Sequence, residues 1–332
     1  MTDKGERGFR AHGVFISRLA ALGVAAFLTV GLTSCGTSAS GSGSGEISSY
    51  TRPQVMLIVA NERNRYRDVY TDQIWQVEAD EEGTTFEEYL LGEIQDFVGQ
   101  VQQMNLLADE QGVTLTSQER EKLRTLADGY YESLSQEDLD YIGADEEDVY
   151  VMYEAYWRAN KLVDALTADV DLEISDSEAR IMTVQELTFS DESTAHNAYL
   201  QLTTEGVDFA ATAAGFTEDG VTETLVGRGE RSKVYDDAVF VLEDGQISAP
   251  FSDGGVWYVV RCVNDYEEEK TQERKERLSL QRKNQAFHRI YDAFAAENPV
   301  QIDESVWEDI SLKEGEESST TAFFEMYQEQ ID

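Results

Sequence analysis

Between residues 53 and 170 the chain holds one proline, Pro53, at the very start of the stretch. Proline is the residue that stops helices most firmly, so almost nothing there interrupts them. Phe86, Leu90, Ile94, Phe97, Val101 and Met104 recur at three- and four-residue steps, the stripe of a helix buried on one face. Val55, Val59, Tyr66, Tyr70, Ile74 and Val77 follow the same spacing more loosely. Thr85 with Glu88, and Thr116 with Glu119, have the spacing of a capping box, in which each side chain satisfies a free backbone N–H of the first turn. The second box opens a run through Leu123, Leu126, Tyr130 and Leu134, just after the break at Gly112. Asp145 is placed to cap a fourth helix with Val149, Met152, Tyr156, Val163 and Leu166 inward. The plain expectation is a helical bundle with an aromatic core. The sharper one is a cradle whose exposed aromatics and methionines hold unfolded chains, and the sequence leaves open which aromatics face outward.

After Ser175 the pattern changes. Ser175 and Glu178 repeat the capping spacing, and Arg180 to Phe189 reads as a strand. A helix is expected from about Glu192 to Thr204, stopped by Gly206, and a short one through Phe209 and Ala213 capped by Asp208. Residues 215–232 carry four glycines and read as loop. Tyr235 to Leu242 is a short helix, Ile247-Ser248 a brief strand ended by Pro250, Ser252 to Gly255 a turn, and Val256 to Val263 a strand. Strands at both ends with helices between them predict an α+β layer. Glu267 to Glu297 is again helical. Its seven Lys and Arg between 270 and 289 interleave with Glu273 and Glu276, so a salt-bridged face is expected rather than a nucleic-acid surface. Phe287, Ile290 and Phe294 form an apolar stripe predicted to pack back on the first bundle. Residues 312–332 read as a frayed tail, apart from Phe323, Phe324 and Tyr327.

The front end reads as an address. Residues 1–18 are net basic, Leu19 to Leu32 is apolar and uncharged, and Leu32-Thr33-Ser34-Cys35 follows. That order is a secretory signal, with an apolar core shorter than the ~20 residues of a spanning helix. The LTSC sequence resembles the bacterial lipobox, which implies that Cys35 becomes the first mature residue and carries lipid. Residues 36–49 form a Gly/Ser tether of the flexible type. With Cys35 consumed, Cys262 has no disulfide partner and reads as a buried thiol. The net charge is -40, which argues against binding nucleic acid through its phosphates. Two cysteines are too few for a cysteine-rich zinc site, and no metal or other cofactor is expected.

Tyr235-Asp236-Asp237-Ala238, Phe240, Leu242, Gly245, Ile247-Ser248 and Pro250 stand in an order that resembles the parvulin class of peptidyl-prolyl cis/trans isomerases. The mature chain as a whole is similar to extracytoplasmic foldase lipoproteins of Gram-positive bacteria. The resemblance implies an FKBP-like β-α-β domain over 176–266, a helical chaperone domain over 53–175, and a helix over 267–311 returning to the helical domain. The partners implied are unfolded secreted proteins and, through Cys35, the outer face of the cell membrane. The family has a histidine where Glu186 stands and a second where Trp257 stands, or Tyr258 if the register shifts by one. Its third polar residue corresponds to Asp219. Its proline pocket corresponds to Tyr235, Leu225 and Phe240, with a pocket methionine falling near Arg231, which is not apolar.

Both histidines are thus replaced, and His196 and His288 lie on helices elsewhere. Glu186 and Asp219 would form a carboxylate pair if they met, each raising the other's pKa. The expectations are a degenerate site that binds chains and isomerises weakly or, alternatively, an active isomerase with a reshaped site, since rotation needs no proton transfer. A non-enzymatic surface lipoprotein is the third reading. A solute-binding lipoprotein would need repeated strand–helix alternation, which the long helical run opposes.

Overall fold

The structure, a computed structural model, describes residues 50–217 and 221–331. Cys35, its signal and tether, and Asp219 lie outside the described residues. Contacts divide the chain into two compact units, Val170–Gln285 and the remainder on either side of it. The fold is α+β: one unit is helical, the other is built on a four-stranded antiparallel sheet.

The helical unit contains α1 (Arg52–Val69), α2 (Phe86–Glu110), α3 (Ser117–Ser133), α4 (Gln136–Ile142) and α5 (Glu146–Thr167). Thr51, Thr85, Thr116, Ser135 and Asp145 each cap a helix by accepting from a first-turn N–H while the third helical residue bonds back. The first apolar run does not continue to Val77: α1 ends at Val69 and a 3-10 turn spans Asp72–Gln76. Most of the large aromatics face inward. Phe97, Tyr130, Tyr153 and Tyr156 are buried with Leu57, Leu90 and Ile94 in one core. Each such side chain contributes about 1.5–3 kcal/mol on leaving water. The cradle of exposed aromatics is therefore not open here; the core uses them.

The segment read as a frayed tail is folded. After the short α11 (Glu304–Trp307) it carries α12 (Phe323–Ile331), with Phe323, Phe324 and Tyr327 buried in the same core. Its local sequence is acidic and glycine-bearing, and the groups that order it are supplied from far upstream.

In the second unit β1 (Ile181–Phe189) sits centrally, in the order β2-β1-β4-β3. β4 is Val256–Asn264 and β3 is Phe251–Asp253. The residues expected as loop between 215 and 232 include β2 (Glu223–Gly227), an edge strand paired with β1 from Gln185↔Glu223 to Ile181↔Gly227. The helices are α6 (Asp176–Ala179), α7 (Glu192–Leu202), α8 (Phe209–Ala213) and α9 (Lys233–Val239). α10 (Glu268–Glu297) begins in this unit and ends in the helical one. Near its start Arg274 is 4% exposed, and in its last turns Phe287 and Tyr291 are buried in the bundle core. Among the described residues no helix is long and apolar enough to cross a membrane.

The sheet has two covered faces, and strand alternation decides which residue meets which helix. Met182 and Val184 pack with Val260, Cys262, Tyr235 and Phe240. Leu187 and Phe189 pack with Val259, Ala195, Ala198 and Phe209 on the other face.

Candidate functional site

The cluster that corresponds to the expected isomerase site lies on the face covered by α9. Counting by twos from Met182 and Val184 brings Glu186 to that face, at the end of a buried apolar row. Its carboxylate meets the hydroxyl of Tyr235, which donates a hydrogen bond to it. Arg231 completes the group: its Nη1 lies 3.1 Å from the Glu186 carboxylate, and its guanidinium stands 4.4 Å from the centre of the Tyr235 ring. Arg231 directly precedes Ser232, the cap of α9, and Tyr235 lies in the first turn, so both flank the helix start and one carboxylate reaches both.

Local chemistry holds these residues in place. Ser232 caps α9, accepting from Tyr235 N at 3.1 Å, and its own hydroxyl donates to Asp253 at 2.6 Å, tying the helix start to β3. Gly229 has φ +80, a backbone state that suits glycine, and its N–H donates to Asp236 at 2.7 Å. A Cβ on Gly227 would meet Glu230 and Arg274 below 3.0 Å. Arg274 braces the turn, donating to the carbonyl of Arg228 at 2.6 Å and to that of Arg180 at 3.3 Å. The loop before β3 is fastened as well. Ser248 N donates to Val260 O at 2.8 Å, and Val260 N donates back to the Ser248 hydroxyl at 3.0 Å. The Gly245-x-Ile-Ser-x-Pro pattern thus does structural work: it lays residues 245–250 along β4.

Register settles which of two neighbours joins the cluster. Thr188 pairs with Tyr258 and Phe189 with Trp257. Tyr258 lies on Glu186's face, its ring 6.1 Å from Tyr235 and stacked on Phe251 at 5.4 Å. Trp257 lies on the opposite face, against the core that holds Leu187 and Phe189. Leu225 pairs with Thr183, also on the face away from Tyr235, and is 52% exposed. The neighbouring Val226 occupies the site face instead. Phe240 is a buried core residue beneath the site, with Arg228 stacked at 5.1 Å and no opening to solvent. Of the sequence-derived residues, the structure brings together Glu186, Tyr235 and Tyr258. It separates Trp257 and Leu225 from them, and Asp219 lies outside the described residues.

Sequence reasoning places Arg231 at a pocket position without giving it a role, and misses Phe251. A cation at a pocket position was discounted because the family has an apolar residue there. Phe251 opens β3, whose other two residues, Ser252 and Asp253, fall in the turn expected over Ser252 to Gly255.

Electrostatics limit what the cluster does chemically. Burial, and then the hydrogen bond to Glu186, push the Tyr235 phenol far above its ordinary range, so it stays a proton donor at any working pH. The carboxylate is already occupied by a phenol and a guanidinium. The cluster therefore has an aromatic wall of Tyr235, Phe251 and Tyr258, a fixed hydrogen-bond donor and a half-exposed cation, with no nucleophile poised for transfer.

No family model matches the sequence, and no curated protein matches it. Solved structures that resemble the chain include a peptidylprolyl isomerase (PrsA) from Bacillus cereus. It is 19% identical with a TM-score of 0.37, over 72% of this chain and 100% of that one. The foldase protein PrsA from Streptococcus pneumoniae is 17% identical with a TM-score of 0.30, over 57% of this chain and 85% of that one. A peptidylprolyl isomerase (PrsA) from Bacillus anthracis is 16% identical with a TM-score of 0.29, over 63% and 99% respectively.

Proposed function

We propose that this chain is a lipid-anchored extracytoplasmic foldase whose parvulin-like unit binds proline-containing segments and isomerises them weakly. The observation that carries the reading is the closed Glu186–Tyr235–Arg231 group, on the face where the resembled family keeps its histidine on the first strand. Catalysis of prolyl rotation must lower a barrier of ~18–20 kcal/mol by favouring the twisted amide. A group already satisfied within itself offers little new hydrogen bonding to that state. Arg231, with 37% of its side chain exposed, is the one member with capacity to spare. One charge-assisted hydrogen bond is worth about 1.5–3 kcal/mol, or roughly ten- to a hundredfold in rate. The helical unit supplies chain holding, and Cys35 supplies the anchor to the outer membrane face. Partners are unfolded secreted proteins.

A second reading, an active isomerase with a reshaped site, draws on the same Arg231 together with the permanently protonated Tyr235. A protease-free proline-isomerisation assay on the mature chain separates the two. Weak activity that falls further in Arg231→Ala is expected; activity equal to a histidine-bearing relative overturns the degenerate reading. Aggregation of reduced α-lactalbumin should be slowed at stoichiometric levels. Absence of both activities leaves a structural lipoprotein. Cys35→Ala should release the protein from membranes, and unchanged partition and mass would rule out the anchor.

A further inference from the structure

Residues 311–331 lie across the helical unit in the manner of a bound peptide. The bundle holds their main chain as well as some side chains: the Ser318 hydroxyl accepts from Asn64 at 3.1 Å and donates to Asp138 at 2.9 Å, and Ser311 donates to Glu87 at 2.7 Å. Arg63 of α1 donates to the carbonyl of Leu312 at 2.8 Å, and Asn64 donates to that of Thr320 at 2.9 Å. Arg67 reaches the carbonyls of Glu316 and Ser318. Asp138 of α4 accepts from the N–H groups of Ser319 at 2.7 Å and Thr320 at 3.0 Å. Where the segment turns into α12, Phe323 N donates to Asn61 at 3.0 Å and Tyr153 donates to the Phe323 carbonyl at 2.8 Å. Beyond that point recognition becomes aromatic. Phe323 stacks on Tyr153 at 4.2 Å, Tyr327 meets Tyr156 at 4.6 Å, and Phe324 meets Phe97 at 5.9 Å.

Contacts to carbonyls and N–H groups are available from any sequence, and aromatic sockets accept any Phe or Tyr. That combination suits recognition of many different non-native chains. Opening the groove is costly for an apolar reason. With the tail seated, Arg63, Asn61, Asn64 and Asp138 are each at most 3% exposed and water takes over their bonds when it leaves, but Phe323, Phe324 and Tyr327 and their sockets lose burial worth about 1.5–3 kcal/mol per side chain. An incoming segment would remake the same bonds, so exchange is close to balanced although simple opening is not. With the tail seated, Nη2 of Arg63 is buried without an acceptor.

We propose that this groove is the client site of the helical unit, and that residues 311–331 are an internal plug. Non-native segments displace it when they combine an extended stretch with a following pair of aromatic residues. The proposal rests on the foldase reading for the identity of the client, but its test is separable from that reading.

The test locks the plug. A Cβ placed on Gly129 would lie 3.7 Å from the Met326 methyl, so cysteines at these two positions lie within reach of a short bis-maleimide. Gly129→Cys and Met326→Cys are introduced into the mature chain carrying Cys35→Ser, with Cys262 buried away from the reagent. Two readouts are compared before and after cross-linking: suppression of reduced α-lactalbumin aggregation, and binding of a fluorescent peptide with the sequence of residues 311–331. Locking should weaken both at least about tenfold, the equivalent of about 1.4 kcal/mol, while the thermal midpoint holds or rises. Equal protection by locked and open protein overturns the proposal. If neither form protects α-lactalbumin, the foldase reading fails, and the peptide alone decides the groove. Binding to the open form only upholds it; binding to neither, or to both equally, refutes it.

Discussion

Replacing Tyr235 by phenylalanine removes one oxygen atom and little else. The ring is 1% exposed and packs against Phe251 and Tyr258 at 5.8 and 6.1 Å, contacts that phenylalanine keeps. No cavity opens, so the transfer and packing contributions cancel between the two proteins. What disappears is the hydroxyl's bond to the Glu186 carboxylate. Hydrogen bonds to charged groups contribute about 1.5–3 kcal/mol. Glu186 retains Arg231, and 17% of its side chain is exposed, so water recovers part of the loss. The lower half of that range, about 1.5–2 kcal/mol, is the expected destabilisation of the sheet unit. A chain of two units need not unfold in one step, so the probe must be local. Trp257 is the one tryptophan of four that lies in this unit, and fluorine-labelled tryptophan resolves it during a urea titration. A cycle with Glu186→Gln then isolates the pair. A midpoint change below about 0.5 kcal/mol, the usual range of neutral surface changes, would show that the bond is not formed and remove the basis for calling the site closed.

Phe323→Ala should destabilise the helical unit by about 3–5 kcal/mol, the usual range for a buried phenylalanine, and a loss under about 1 kcal/mol in the same titration would contradict a docked tail. Glu119 is held down to about 2: burial opposes its ionisation, but hydrogen bonds from Lys161, Thr116 and Trp157 outweigh that. Its folded pKa is depressed, so its contribution is present above about 4.5 and is lost as pH falls toward about 2. Allowing for screening, the loss is about 1–2 kcal/mol, and acid titration of Glu119→Gln should be correspondingly flatter. Histidine grafts should discriminate the two faces of β4. Glu186→His with Tyr258→His should raise isomerase activity, whereas Glu186→His with Trp257→His should not, and equal gains from both would refute the register.

What could be read in advance was local. Thr85, Thr116 and Asp145 announce their helices because cap and capped residue lie within one turn. Ser135 with Asp138 is the same device, hidden because aspartate replaces the usual longer acid and the helix has only seven residues. β2 escaped because an edge strand flanked by glycines has no pattern of its own; its order comes from β1. The choice between Trp257 and Tyr258 rested on pairing, and β1 shifts its register against β4 at Thr183/Val184. Arg231 stands at a pocket position in the sequence, but its role emerges only where Glu186 and Tyr235, 49 residues apart, are brought together. The tail was invisible for the same reason on a larger scale, since Asp138 and Ser319 are separated by 181 residues.

Arginines in this chain repeatedly grip carbonyls: Arg63 and Arg67 on the tail, Arg274 on the turn before α9, Arg158 on Val113. A carbonyl is offered by whatever residue occupies the position. Substituting the partner leaves the acceptor in place, so no compensating change is demanded at the arginine. Correlated substitution across an alignment would therefore miss these contacts, however much stability they carry. They would surface instead as arginine positions that reject even lysine, opposite segments free to vary in composition but intolerant of insertion or deletion.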